Sequence, residues 1–189
     1  MIKAFFWLVL VAILAAAVVW ARYPHLLYRF EKPRWQSFKD PAGTYAVDFP
    51  GPARCGLEAD VTVGETCRHQ LWNWDLRATR LGFVQGGMVS NALGKAGIGG
   101  PSLAGAEREV KLFMTVESSA PASVAGGEGM EFRGRLKKGY GVVRAGILKN
   151  TAVLFTVIVR DAATDADFKK EMARHPSVAE RFFSTAAVP

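Results

Sequence analysis

Few side chains in this sequence are of a type and spacing that could do chemistry. There are three histidines, His25, His69 and His175. None lies in an H-E-x-x-H pattern or at ligand spacing from a cysteine or an acid, so each reads as solvated or satisfied by its neighbours. Gly100-Pro-Ser-Leu-Ala104 comes close to the nucleophile elbow G-x-S-x-G. The elbow needs a strand leading into the serine, and here a glycine-rich stretch precedes it. Ser102 reads instead as a helix cap. Gly94-Lys95 lacks the rest of a phosphate-binding loop. Asp161, Asp165 and Asp167 lack the glycine and terminal glutamate of a calcium loop, and acids are expected where a helix begins. The expectation is therefore no enzyme, no metal and no cofactor.

Two cysteines, Cys55 and Cys67, stand in a C-x11-C arrangement. Two further ligands would be needed for zinc. An even pair suits a disulfide in an exported domain, and two buried free thiols are the alternative. Trp72 and Trp74 alternate with Asn73 and Asp75 and read as one face of a strand. They are candidates for a ligand or partner face, with packing in the core as the other reading.

The elements that must position these residues begin with an apolar run. Ala4–Ala21 holds no charge. As a helix its eighteen residues would span about 27 Å, close to the hydrocarbon thickness of a bilayer. Residues 1–22 are therefore expected to be a transmembrane anchor, or a signal that remains uncleaved, because the apolar stretch outruns a typical signal core. Trp20, Arg22, Tyr23, Arg29, Lys32 and Arg34 would lie at the membrane interface. The net charge is +7. Much of the excess sits in this flank, where anionic headgroups attract it. No nucleic-acid motif accompanies it. The basic flank by itself favours a cytoplasmic domain, whereas a disulfide favours the outside.

Residues 23–39 read as a basic, aromatic linker broken by Pro24 and Pro33. Residues 40–189 form one domain, long enough for a real core. The composition, 50% hydrophobic and 22% charged, is globular. Strands are expected over 44–49, 57–63 and 66–81, the last two joined at Gly64-Glu65. A helix runs from Ser102 to about Ser118, followed by a small-residue loop to Glu128. Met130, Phe132 and Leu136 alternate with Glu131, Arg133 and Arg135, a strand with one wet face. Tyr140–Leu148 and Thr151–Arg160 form a hairpin about Lys149-Asn150. The final strand is apolar on both faces, so both must be covered. Thr164 and Asp167 open a helix. A last helical turn carries Phe182 and Phe183. This predicts an α+β fold, a three-layer α/β/α sandwich on a mostly antiparallel sheet.

Gly43-Thr-Tyr-Ala-Val-Asp-Phe-Pro-Gly-Pro52 resembles the opening strand of many exported bacterial domains. Gly127-Glu-Gly-Met-Glu-Phe132, the strand containing Arg144 and the closing Glu180-Arg-Phe-Phe-Ser184 resemble their second half. These domains are similar to the PsbP and DcrB group. The resemblance covers about residues 40–185 and implies an extracytoplasmic α/β/α domain, often an accessory subunit of a membrane complex, with no catalytic residues. The expected protein is a non-enzymatic accessory or scaffold subunit in the bacterial inner membrane. It would be single-pass, with its domain in the periplasm and with the lipid bilayer and an integral-membrane protein as partners. The alternative is a periplasmic small-molecule or lipid-binding domain. A flat apolar patch would favour the first and an enclosed apolar pocket the second.

Overall fold

The computed structural model describes residues 32–57, 64–81 and 102–189, together with Trp7, Val9 and Val11, which are helical and exposed. The rest of the expected anchor, including Trp20 and Arg22, lies outside the described residues, as do Tyr23, His25 and Arg29. Among the described residues no helix is long and apolar enough to cross a membrane.

Seven strands form one antiparallel sheet, ordered β3-β4-β5-β9-β8-β7-β6. They are β3 (Arg54–Leu57), β4 (Gly64–Leu71), β5 (Trp74–Leu81), β6 (Met114–Val124), β7 (Gly127–Leu136), β8 (Gly139–Leu148) and β9 (Thr151–Val159). A separate antiparallel pair joins β1 (Gln36–Lys39) to β2 (Ala46–Phe49). Among the described residues from Lys32 onward there are three helices: α1 (Leu103–Phe113), α2 (Asp165–Arg174) and α3 (Pro176–Ser184). The whole is an α+β fold on an antiparallel sheet.

Strand β9 lies at the centre and explains the layering. Successive side chains of a strand point to opposite faces. Val153, Phe155 and Val157 join Leu76, Ala78, Val142, Phe168 and Phe182 in one buried cluster. Ala152 and Leu154 join Ala106, Val110, Phe132 and Val143 in another. Helix α1 covers the second face. The first is covered by α2, α3 and the β1–β2 pair, through Tyr45, Val47 and Phe49, all nearly inaccessible. That outer layer is thus part helix and part strand, because the β2 segment supplies three alternating apolar side chains that a helix would otherwise have to provide.

The chain departs from the sequence reading in several places, and of the strand expected over 57–63 only Leu57, the last residue of β3, is among the described residues. Ahead of Asp40, strand β1 already pairs with β2 and the Arg34 amide donates to the Pro50 carbonyl at 2.9 Å. The expected long strand over 66–81 is a hairpin. It turns at Trp72-Asn73, with Trp72 at φ 57°, and Gly64-Glu65 belongs to β4. Helix α1 ends at Phe113 and passes directly into β6, whose first residue, Met114, is already extended at φ −130°. The expected loop from Ser118 to Glu128 is mostly this edge strand, closed by the turn Ala125-Gly126 at φ 52° and 81°. By contrast, the β8–β9 hairpin turns at Lys149-Asn150, both in the left-handed region at φ 46° and 57°.

Candidate functional site

The wet face of β7 becomes the floor of a cleft. Glu131 and Arg133 point toward the α2–α3 side of the sheet, and Arg144 stands directly opposite Glu131 on β8. Arg144 is the one charge in the strand Gly139–Leu148. Helices α2 and α3 arch over these residues. Between them and the sheet lies a cleft of about 490 Å³, walled by Val142, Phe168, Met172, Ala179 and Phe183. That volume falls within the range of ordinary ligand sites.

The charges on the floor are tightly organised. Arg144 Nε donates to Glu131 Oε2 at 2.8 Å, and Arg133 Nε donates to Glu131 Oε1 at 2.9 Å. Arg133 Nη2 lies 2.8 Å from the same Oε1. Burial alone would raise the Glu131 carboxyl, but the hydrogen bonds from Arg144 and Arg133 outweigh it and hold the group below its usual value. The Arg144 guanidinium lies 4.3 Å from the centre of the Phe183 ring, a cation–π contact that holds the group against α3. Its terminal nitrogens meet no hydrogen-bond acceptor among the described residues. The floor carries two arginines against one glutamate, and Lys169 and Glu180 on the rim balance each other. Such a groove can hold an apolar segment and pair an acidic group with Arg144.

Beside the cleft, Tyr140 packs on Phe168 at 5.7 Å between ring centres. Its hydroxyl donates to Glu117 Oε2 at 3.1 Å. Burial first, then this hydrogen bond, pushes its pKa up to about 12. On the far side of the same layer, Tyr45 donates to the Ala78 carbonyl at 3.1 Å, and burial pushes its hydroxyl far upward.

Most of the other candidates among the described residues make contacts within the fold. Cys55 and Cys67 are opposite each other in the β3–β4 register and form a disulfide. Trp72 and Trp74 do not share a strand face. Trp72 sits in the turn and Trp74, fully buried, begins β5. Both rings instead meet His175, at 4.1 Å and 6.2 Å between centres. His175 thereby plugs the joint between α2 and α3. The Trp74 indole N–H has no hydrogen-bond partner among the described residues. His69 places Nδ1 3.0 Å from the Pro52 carbonyl oxygen and lies against Gly51, where a side chain would collide with its ring. The Ser102 hydroxyl caps α1 by accepting from the Gly105 amide at 3.1 Å. Thr164 and Asp167 form a capping box on α2, and these hydrogen bonds hold the exposed Asp167 carboxyl below its usual value. Lys32 and Arg34 are exposed. Among the described residues no three metal-ligating side chains gather to hold an ion.

Sequence reasoning missed the cleft. The available signal was a lone arginine in an otherwise apolar strand, opposite an acid flanked by apolar neighbours.

No protein-family profile matches the chain, and no curated protein sequence matches it. Among solved structures, the chain is similar to the solution structure of cyanobacterial PsbP (CyanoP) from Synechocystis sp. PCC 6803. The identity is 8%, the TM-score 0.46, and the match covers 85% of this chain and 95% of that one.

Proposed function

We propose that this chain is a non-enzymatic accessory subunit of PsbP/DcrB type. It is held in the bacterial inner membrane by a single N-terminal helix over residues 1–22, with its α/β/α domain in the periplasm. Its partner is an integral-membrane protein, a segment of which occupies the cleft under α2–α3. The observation that carries this reading is the Arg133–Glu131–Arg144 floor beneath apolar walls. It offers recognition chemistry, an oriented cation beside an apolar surface. It has no nucleophile paired with a base, which acyl or phosphoryl transfer would need.

The disulfide supports the location, because such bridges persist in oxidising compartments. The basic flank Arg22, Arg29, Lys32 and Arg34 pulls toward the opposite orientation, so the placement needs its own experiment. Alkaline phosphatase fused after Pro189 should be active in intact bacteria, since it matures only outside the cytoplasm. An inactive fusion whose Cys55 and Cys67 alkylate without reductant would place the domain inside and overturn the reading. A second reading, a small-molecule or lipid-binding domain, is favoured by the volume of the same cleft.

A further inference from the structure

A second pocket opens on the opposite face of the sheet and has no part in the reading above. It lies between the C-terminal end of α1 and the β7–β8 turn, and encloses about 200 Å³. Its apolar lining is Leu112 and Phe113 from α1, Leu136 from β7 and Ile158 from β9. Among the described residues its polar lining is Arg77, Lys137 and Lys138, three cations without an acid.

Arg77 is 8% exposed. It is held from behind by Asp75, whose Oδ2 accepts from Nη2 at 2.7 Å and from Nε at 3.2 Å. Arg160 approaches the same Oδ2 at 3.6 Å, so Asp75 already faces two cations and cannot neutralise the lysines as well. Lys137 and Lys138 are exposed and join no ion pair among the described residues. They sit in a short turn before Gly139, which is at φ 130° and pressed against the Val159 carbonyl, so the turn is fixed in place. On α1, Lys111 pairs with Glu107 and lies near the negative end of the helix. Lys137 and Lys138 thus add two exposed positive charges to the rim of this hollow, which favours the entry of an anion.

The rim adds a second requirement. Leu112 is 67% exposed, the most exposed large apolar side chain among the described residues from Lys32 onward. An exposed leucine beside a pair of lysines is the pattern of a surface that meets a membrane interface. The hollow admits a phosphate and its first attached carbons but not an acyl chain, so the rest of the molecule must remain outside. We propose that this pocket binds the phosphate of an anionic lipid that stays in its bilayer, with Leu112 entering the interface beside it. This contact is independent of the apolar N-terminal run and of the cleft under α2–α3.

The test uses the full chain in a neutral maltoside detergent and isothermal titration with dihexanoyl phosphatidylglycerol. Dihexanoyl phosphatidylcholine and inorganic phosphate serve as comparison probes. Wild type should bind the anionic lipid more tightly than either. Lys137→Ala with Lys138→Ala should weaken that binding about tenfold or more, since each lysine at a lipid surface contributes a several-fold factor. Leu112→Gln should weaken the lipid and leave any phosphate binding unchanged. Both variants alter exposed positions, and thermal melts equal to wild type would establish that they fold. Unchanged lipid binding in the double variant would overturn the proposal, because the lipid would then be collecting elsewhere on the chain. Inorganic phosphate binding as tightly as the lipid would also overturn it, by making the pocket a site for a free anion.

Discussion

Arg181 on α3 donates through Nη2 to Asp48 Oδ2 on β2 at 3.0 Å, across 133 residues of sequence. The same guanidinium lies 4.7 Å from the centre of the Trp35 ring. Nearby, the Asp48 amide donates to Thr185 Oγ1 at 3.0 Å, Ala46 and Ala187 exchange backbone hydrogen bonds, and Phe49 meets Phe182 at 5.3 Å. The two ends of the domain are thus clasped together, the segment with the Asp-Phe-Pro-Gly pattern against the one with Arg-Phe-Phe-Ser.

Arg181 is half exposed, so its ion pair is screened and weak. Arg181→Ala should cost about 1 kcal/mol, split between the pair and the stack on Trp35. Phe182→Ala, which empties a buried site, should cost about 3–5 kcal/mol. Urea unfolding of a fragment from residue 32 onward checks both. Equal losses would mean that the clasp is electrostatic rather than apolar.

Leu154 and Phe155 are adjacent and each is 1% exposed. Leu154 belongs to the cluster under α1. Phe155 meets Tyr45 at 5.5 Å and Phe182 at 6.2 Å on the other face. Leu154→Ala should lose about 2–5 kcal/mol and Phe155→Ala about 3–5 kcal/mol. A negligible loss at either position would mean that one face of β9 is not a packed core.

The Cys55–Cys67 bridge closes a loop with a sequence separation of 12. Chain-entropy reasoning assigns it about 2–3 kcal/mol, and Cys55→Ser with Cys67→Ser should lower the urea midpoint accordingly. Unfolding that is the same with and without reductant would contradict this.

Glu131 supplies a pH dependence whose sign is fixed by its surroundings. Its carboxyl is held below the ordinary value of 4.5, so the folded state favours the ionised form. The stabilisation is present above that value and is lost as pH falls through the lower folded value. Glu131→Gln should therefore be less stable than wild type at neutral pH, and the gap should close as the solution is acidified below 4.5. A gap that stays constant down to the acid limb would show that the two arginines do not depend on its charge.

Much of the fold was legible because it is written in local alternation. Thr151–Val159 is apolar at every second position on both faces, and that pattern required a buried central strand with cover on each side. Lys149-Asn150 marked its turn, and Thr164 with Asp167 marked the start of α2. Elsewhere distant contacts decided the local structure. Trp72-Asn73 holds one turn-favouring residue, Asn73, but the alternation of apolar and polar residues over Trp72–Arg77 runs straight through it and reads as one continuous strand. The tryptophan is held in its left-handed turn conformation by stacking on His175. Ser118–Ser123 looked like a loop because its residues are small and polar and include Pro121, yet β6 is the edge of the sheet, where exposure and proline are tolerated. The cleft was invisible for the same reason. Glu131 and Arg144 define its floor, but it becomes a cleft only when α2 and α3 return over the sheet.

The central claim is that the cleft under α2–α3 holds a segment of a membrane-protein partner. The direct measurement is photocrosslinking in intact membranes from a benzoylphenylalanine placed at Ala173, on the cleft wall. Arg108, exposed on α1 across the sheet, is the control position. The account predicts one integral-membrane protein crosslinked from Ala173 but not from Arg108, with the yield falling sharply in Arg144→Ala. Equal crosslinking from both positions, or a yield from Ala173 indifferent to Arg144, would contradict it.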